Sequence, residues 1–203
     1  MMTLHTFGDS HTDSIVRANS ENLNLQIVCK FTGPITMARF GLEKLNLLNI
    51  KNYKVNNGDI VCFSFGEIDC RSHLCKPQNF KIYKELINVL VYKYFEAIKI
   101  NVDQYNNIKT MVFNIVPTIR RINTFSNPEF PHIGLDDERK LITLYMNSKL
   151  KEHCEKYNYI FFDVYEKYCD LDGFLNLNLK DSAIHIGNTI YINEFLKNIK
   201  FYE

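Results

Sequence analysis

The chain has 203 residues, 46% of them apolar and 23% charged, with a formal net charge of +1 at pH 7. That length suits one domain with a sizeable core, spanning residues 1–203, and leaves little room for a second. The near-neutral balance excludes global steering toward nucleic acid or an anionic membrane, so neither is expected as a partner. The start, Met1-Met2-Thr3, has no basic segment followed by an apolar one, and no apolar run approaches membrane-spanning length. A cytoplasmic protein without a signal peptide is expected. Its cysteines, Cys29, Cys62, Cys70, Cys75, Cys154 and Cys169, form no CxxC pair. Reduced, mostly buried thiols are expected, and no zinc or other metal site.

In chain order, apolar runs and helical periodicities alternate. Thr3–Phe7 and Leu25–Phe31 read as buried strands. Thr36–Leu48 is a weaker helix, interrupted by Gly41. A third strand covers Asp59–Phe65. Phe80, Tyr83, Ile87, Leu90, Val91, Tyr94, Phe95 and Ile98 then form an i, i+3/i+4 stripe. A fourth strand covers Lys109–Val116. A long helix follows from about Asp137 to Tyr157, with Asp136 as N-cap and Leu141, Leu144, Tyr145 and Cys154 on its apolar side. Tyr159–Val164 is the fifth strand, and a last helix begins near Asn188 with Ile192, Phe195, Leu196 and Ile199. The strands are nearly continuous in Val, Ile and Phe, as in a parallel sheet covered on both faces. The alternation predicts a doubly wound α/β sheet whose strand carboxyl ends share one edge, where such folds bind ligands.

Chemistry-bearing residues cluster at that edge. Strand one ends in Phe7-Gly8-Asp9-Ser10-His11, which exposes a serine whose own N–H can point into a site. Strand two ends in Thr32-Gly33-Pro34, where glycine permits close approach of backbone to ligand. Strand three ends in Gly66-Glu67-Ile68-Asp69-Cys70-Arg71-Ser72-His73, denser in ionisable groups than a loop needs. After strand four come Arg120 and Arg121, which would favour an anionic or sugar-like substrate if they face the site. The segment Arg120–Leu135, with Pro128 and Pro131, is long enough to cover it. Asp181 and His185 lie just before the last helix.

These blocks, in this order, resemble the SGNH hydrolases, the GDSL-type esterases and lipases. Gly8-Asp9-Ser10 matches the first block, Gly33 the second, Gly66-Glu67-Ile68-Asp69 the third, and Asp181 with His185 the last. The resemblance implies a three-layer α/β/α sandwich with a five-stranded parallel sheet of flavodoxin-like topology. It implies Ser10 as nucleophile, His185 as its base, Asp181 as orienting acid and Gly33 as an oxyanion donor. Ile68 stands where the family has its oxyanion asparagine, and Arg71, His73 or a backbone N–H would take that role in a substrate-facing block that includes Asp69. The last block has three residues between acid and histidine instead of two, with Ser182 at the usual acid position. The Gly-Glu-Ile-Asp-Cys-Arg string resembles a divergent subgroup associated with polysaccharide and glycan gene sets.

A serine hydroxyl is a weak nucleophile until a neutral histidine can take its proton. The resulting expectation is an ester hydrolase without cofactor, acting on a small-molecule or glycan ester, with carbohydrate O-acetyl groups foremost. Acetyl transfer to a glycan through the same acyl-enzyme, or a catalytically silent glycan-binding domain, remain open at this stage. A nucleotide- or flavin-binding protein is disfavoured because GxGxxG and GxxxxGK[ST] are both missing. The oligomeric state is left open.

Overall fold

The computed structural model describes residues 2–18, 25–124 and 127–199. Strands β1 (Met2–Gly8), β2 (Leu25–Phe31), β3 (Ile60–Ser64), β4 (Lys109–Phe113) and β5 (Ile160–Phe162) form one sheet in the order β2-β1-β3-β4-β5. Every neighbouring pair is parallel. The helices are α1 (Thr12–Val16), α2 (Met37–Glu43), α3 (Pro77–Phe80), α4 (Tyr83–Val102), α5 (Asp136–Tyr157) and α6 (Ile190–Asn198). This is the expected doubly wound α/β/α sandwich of flavodoxin-like order.

The pleat builds two cores from the same strands, because successive side chains point to opposite faces. On one face Phe7, Val61, Phe63 and Val112 pack against Phe40 of α2, Val91 and Phe95 of α4, and Met146 and Leu150 of α5. On the other, Leu4, Ile60, Cys62, Met111, Phe113 and Phe162 pack against Ile15 of α1 and Ile192 and Leu196 of α6. Burial on both faces explains why the strands read as continuous rather than alternating apolar runs.

β1 runs one residue beyond its expected range at each end and β2 matches, whereas β3, β4 and β5 stop short, at β4 for a hydrogen-bonding reason. Past Phe113, Asn114 N still donates to Phe162 O at 3.0 Å, and side chains then take over as backbone partners. Asn114 Oδ1 accepts from Val164 N at 2.9 Å, and Ile115 N donates to Asn147 Oδ1 at 2.8 Å. The helix over 37–43 tolerates Gly41 because a Cβ there would lie 3.1 Å from Lys93 and Tyr94 of α4, so the glycine permits close helix packing. The face expected for α5 needs correction. Leu141 and Leu144 are exposed, and Ile142, Met146, Leu150 and Cys154 form the buried stripe together with Arg139, Thr143 and Asn147. Polar residues hid this face from a hydrophobic count. Asp136 is likewise the first helical residue rather than the cap, and Glu138 Oε2 accepts from Leu135 N at 2.7 Å instead.

The chain between β4 and α5 is tied down at its end by Arg139, which is fully buried. Its guanidinium pairs with Asp136 and donates to Gly134 O at 2.9 Å. Cys62, Cys70, Cys75 and Cys154 are buried, Cys29 and Cys169 are half-buried, and all six are free thiols. Among the described residues no helix is long and apolar enough to cross a membrane.

Candidate active site

Parallel pairing in register brings the ends of β1, β2 and β3 level, with Gly8 opposite both Phe31 and Ser64. Ser10 therefore emerges at the carboxyl edge, in the short turn between β1 and α1. The last block approaches from the far end of the chain. Lys180 and Ile186 form an antiparallel bridge, and Asp181 N donates to His185 O at 2.9 Å, closing a tight loop just before α6. Ser14 Oγ and the Arg17 guanidinium both donate to Ile186 O, at 3.1 and 3.0 Å, which docks this loop on α1.

That docking joins three side chains in a line. Ser10 Oγ lies 2.8 Å from His185 Nε2, and His185 Nδ1 lies 2.9 Å from Asp181 Oδ2. The other Asp181 oxygen accepts from the N–H groups of Ala183 (2.8 Å) and His185 (3.1 Å). The three-residue spacing is thus accommodated by the tight loop. Asp181, not the exposed Ser182, meets the imidazole. Burial would raise the Asp181 pKa, but hydrogen bonds from His185 and Ala183 N–H outweigh it and hold the carboxyl below its usual value. Burial, followed by the charge of His11, lowers His185, so its imidazole is neutral and able to accept a proton.

Gly33 adopts φ +91°, a left-handed conformation that disfavours side chains, just beyond β2. Thr32 N donates to Gly8 O at 3.0 Å, holding this turn against the Ser10 loop. Among the described residues neither Ser10 N–H nor Gly33 N–H has an acceptor. A cavity of about 260 Å³ opens beside Ser10, lined by Ser10, Pro34, Ile68, Arg71, His132 and His185, with further walls from Thr124, Asn127 and Phe130. The segment 120–135 does line the site, although 125–126 lie outside the described residues.

The third block divides between two places. Arg71 reaches the cavity wall, but Glu67 holds its Nε and Nη2 at 2.7 and 3.0 Å, and Nη1 donates to Phe130 O. Glu67 also lies 3.7 Å from His11 Nε2. Burial opposes the charged form of Glu67, yet the His11 and Arg71 partners drive its pKa well below the carboxylate range. Asp69 does not face the cavity. It is buried behind it, and its carboxylate accepts from Met37 N at 2.7 Å and Ala38 N at 3.3 Å, capping the start of α2. Burial raises it to about 7. His73 is also misplaced by the sequence reading. The π-helical turn Asp69–His73 winds it away from Ser10, into a separate groove of about 600 Å³ between α2 and α4. Arg120 and Arg121 face elsewhere too. Arg120 pairs with Asp170 and Asp172 at 2.7 and 2.5 Å and stacks on Phe174, and Arg121 is exposed. Sequence reasoning gave no role to His11, Glu67 or His132. A histidine beside Pro131 in the covering segment was the one available signal for the last.

The strand order and the two helix layers give this chain a fold shared by solved GDSL-type hydrolases and lipases. Solved structures with this fold include a GDSL-like lipase of Bacteroides thetaiotaomicron, 16% identical, covering 96% of this chain and 84% of that one with TM-score 0.57. A phospholipase A1 of Streptomyces albidoflavus is 10% identical over 96% and 98% of the two chains, TM-score 0.60. A carbohydrate acetylesterase of Sinorhizobium meliloti is 15% identical over 97% and 95%, TM-score 0.53. No family model and no curated protein matches the chain.

Proposed function

We propose that this protein is a serine hydrolase that cleaves O-acetyl esters of a carbohydrate through an acyl-enzyme. The observation that carries the reading is the hydrogen-bonded line from Asp181 through His185 to Ser10, with the Ser10 and Gly33 N–H groups free of acceptors among the described residues. In this mechanism Ser10 Oγ attacks the ester carbonyl carbon while His185 Nε2 takes its proton. Asp181 holds Nδ1–H and stabilises the imidazolium. Ser10 N–H and Gly33 N–H receive the oxyanion. Collapse breaks the bond to the sugar oxygen, which leaves with the proton from His185. Water then attacks the acetyl-serine and gives its proton to His185. Acetate departs and Ser10 recovers its hydrogen.

The substrate class rests on size and polarity. A cavity near 260 Å³ is smaller than typical drug-sized sites of about 300–1,000 Å³, so it suits a short acyl group better than a long chain. Likeness in fold to a carbohydrate acetylesterase supports the same choice. The test is turnover of an aryl acetate, followed by an acetylated sugar, together with labelling by a fluorophosphonate. Ser10→Ala should lose both turnover and labelling while keeping the native melting transition. An alanine variant as active as the parent would end this reading.

A further inference from the structure

One buried side chain on the wall of the Ser10 cavity has a ring nitrogen without a partner. His132 lines that cavity with Ser10, Ile68, Arg71 and His185 and is only 7% exposed. Its Nε2 is buried without a hydrogen-bond partner among the described residues. Buried polar groups are normally satisfied, and those that are not call for a ligand or a function.

The position is built. Three contacts bracket residue 132 and fasten it to the third block. Arg71 Nη1 donates to Phe130 O, Ser72 Oγ donates to Pro131 O at 2.8 Å, and Ile133 N donates to Arg71 O at 3.1 Å. The ring is therefore presented to the cavity by a clamped backbone. Three of the five N–H groups of the neighbouring Arg71 are already committed to Glu67 and Phe130, which fixes that guanidinium in place, whereas the His132 ring is uncommitted. Burial and the Arg71 charge lower the His132 pKa to about 4, which leaves a neutral ring carrying one N–H. An oxyanion can accept more hydrogen bonds than the two N–H groups of Ser10 and Gly33 supply, and Ile68 on the same wall offers none.

We propose that His132 donates its ring N–H to the ester carbonyl oxygen as that oxygen becomes the oxyanion, a third donor beside Ser10 N–H and Gly33 N–H. This rests on the acyl-enzyme reading of Ser10. Neutral imidazole suits the task because it adds no charge to a site already holding Arg71, and a neutral histidine is an established carbonyl electrophile elsewhere.

The experiment measures kcat and KM for an aryl acetate, melting temperature and fluorophosphonate labelling for the parent, His132→Ala, His132→Phe and His132→Gln. Losing one oxyanion donor should lower kcat by about 10²–10³ with KM little changed. His132→Phe keeps ring volume without the N–H, so it reports the donor even if the alanine variant is poorly folded. His132→Gln, which restores an N–H, should recover part of the lost rate. A folded phenylalanine variant with parental kcat overturns the proposal. So does a glutamine variant that melts like the parent but is no faster than phenylalanine. If the parent itself neither turns over acetate nor takes the label, the acyl-enzyme reading fails, and this proposal fails with it.

Discussion

Two histidines with carboxylate partners face each other at the sheet edge, 4.7 Å between ring centroids: His185 with Asp181, and His11 with Glu67. Their charge states diverge. Burial and the His11 charge lower the His185 pKa. For His11, burial acts the same way but is outweighed by Glu67 and then by Asp9, and the pKa rises. A carboxylate neighbour alone thus does not decide whether an imidazole is charged. Asp181 meets its histidine in a partly solvated loop and divides its oxygens with backbone N–H groups. Glu67 is half-buried but lies between the buried side chains of His11 and Arg71, where opposite charges interact more strongly. The imidazole of the pair that opens to the cavity is left neutral beside an ionised Asp181 and can take a proton. In the other pair Glu67 favours the charged form of His11, and that charge acts on His185.

This contrast can be broken experimentally. His185→Ala removes the base outright and should cost about 10⁶ in kcat, measured on an aryl acetate. A loss of tenfold or less would mean that the open pair is not the proton carrier. Asp181→Asn keeps the loop but weakens the orienting bond, and should cost about 10⁴, less than the roughly 10⁶ expected when the base itself is lost. Equal losses would make Asp181 as indispensable as the histidine. Glu67→Gln leaves Arg71 and His11 buried without their carboxylate, and should lower stability by about 3 kcal/mol in denaturant titration. An unchanged midpoint would show that the His11 and Glu67 pair is not held by charge.

The pH profile sharpens the comparison further. Turnover needs neutral His185, whose pKa lies below its ordinary 6.5, so the acid limb of kcat/KM should fall below that value. His185 faces Asp181, His11 and Glu67. Replacing His11 by Gln removes the cation that disfavours a second one, so the His185 pKa should rise and the limb should move to higher pH. A limb that stays put would separate the two pairs. The smallest effect is expected from Arg120→Ala, whose partners Asp170 and Asp172 lie outside the cavity, and turnover should be unchanged.

Much of the fold is legible in the chain. The strands advertise themselves because two-sided burial demands unbroken Val, Ile and Phe, and the α4 stripe because one face is apolar. The α5 face was obscured for the opposite reason: its buried side carries Arg139, Thr143 and Asn147, which serve the hydrogen bonding of the neighbouring loop and strand. Within the site, Ser10, Gly33, Asp181 and His185 were visible because each follows a strand or precedes the last helix. Asp69 and His73 were assigned to the substrate because they are adjacent in sequence to Arg71. The wide π-type winding over Asp69–His73 sends them elsewhere, one to cap α2 and the other to a separate groove.

The amino-acid sequence by itself determined the layer order, the edge at which chemistry gathers, and the identity of the serine and histidine, since hydrophobic period and strand-end placement are local properties. Only the tertiary structure decided which carboxylate meets His185, which charges lie beside it, and that His132 from the covering segment lines the same cavity as Ser10. Those outcomes depend on segments far apart in the chain packing within a few ångströms of one another, and distances of that kind are written in no local pattern.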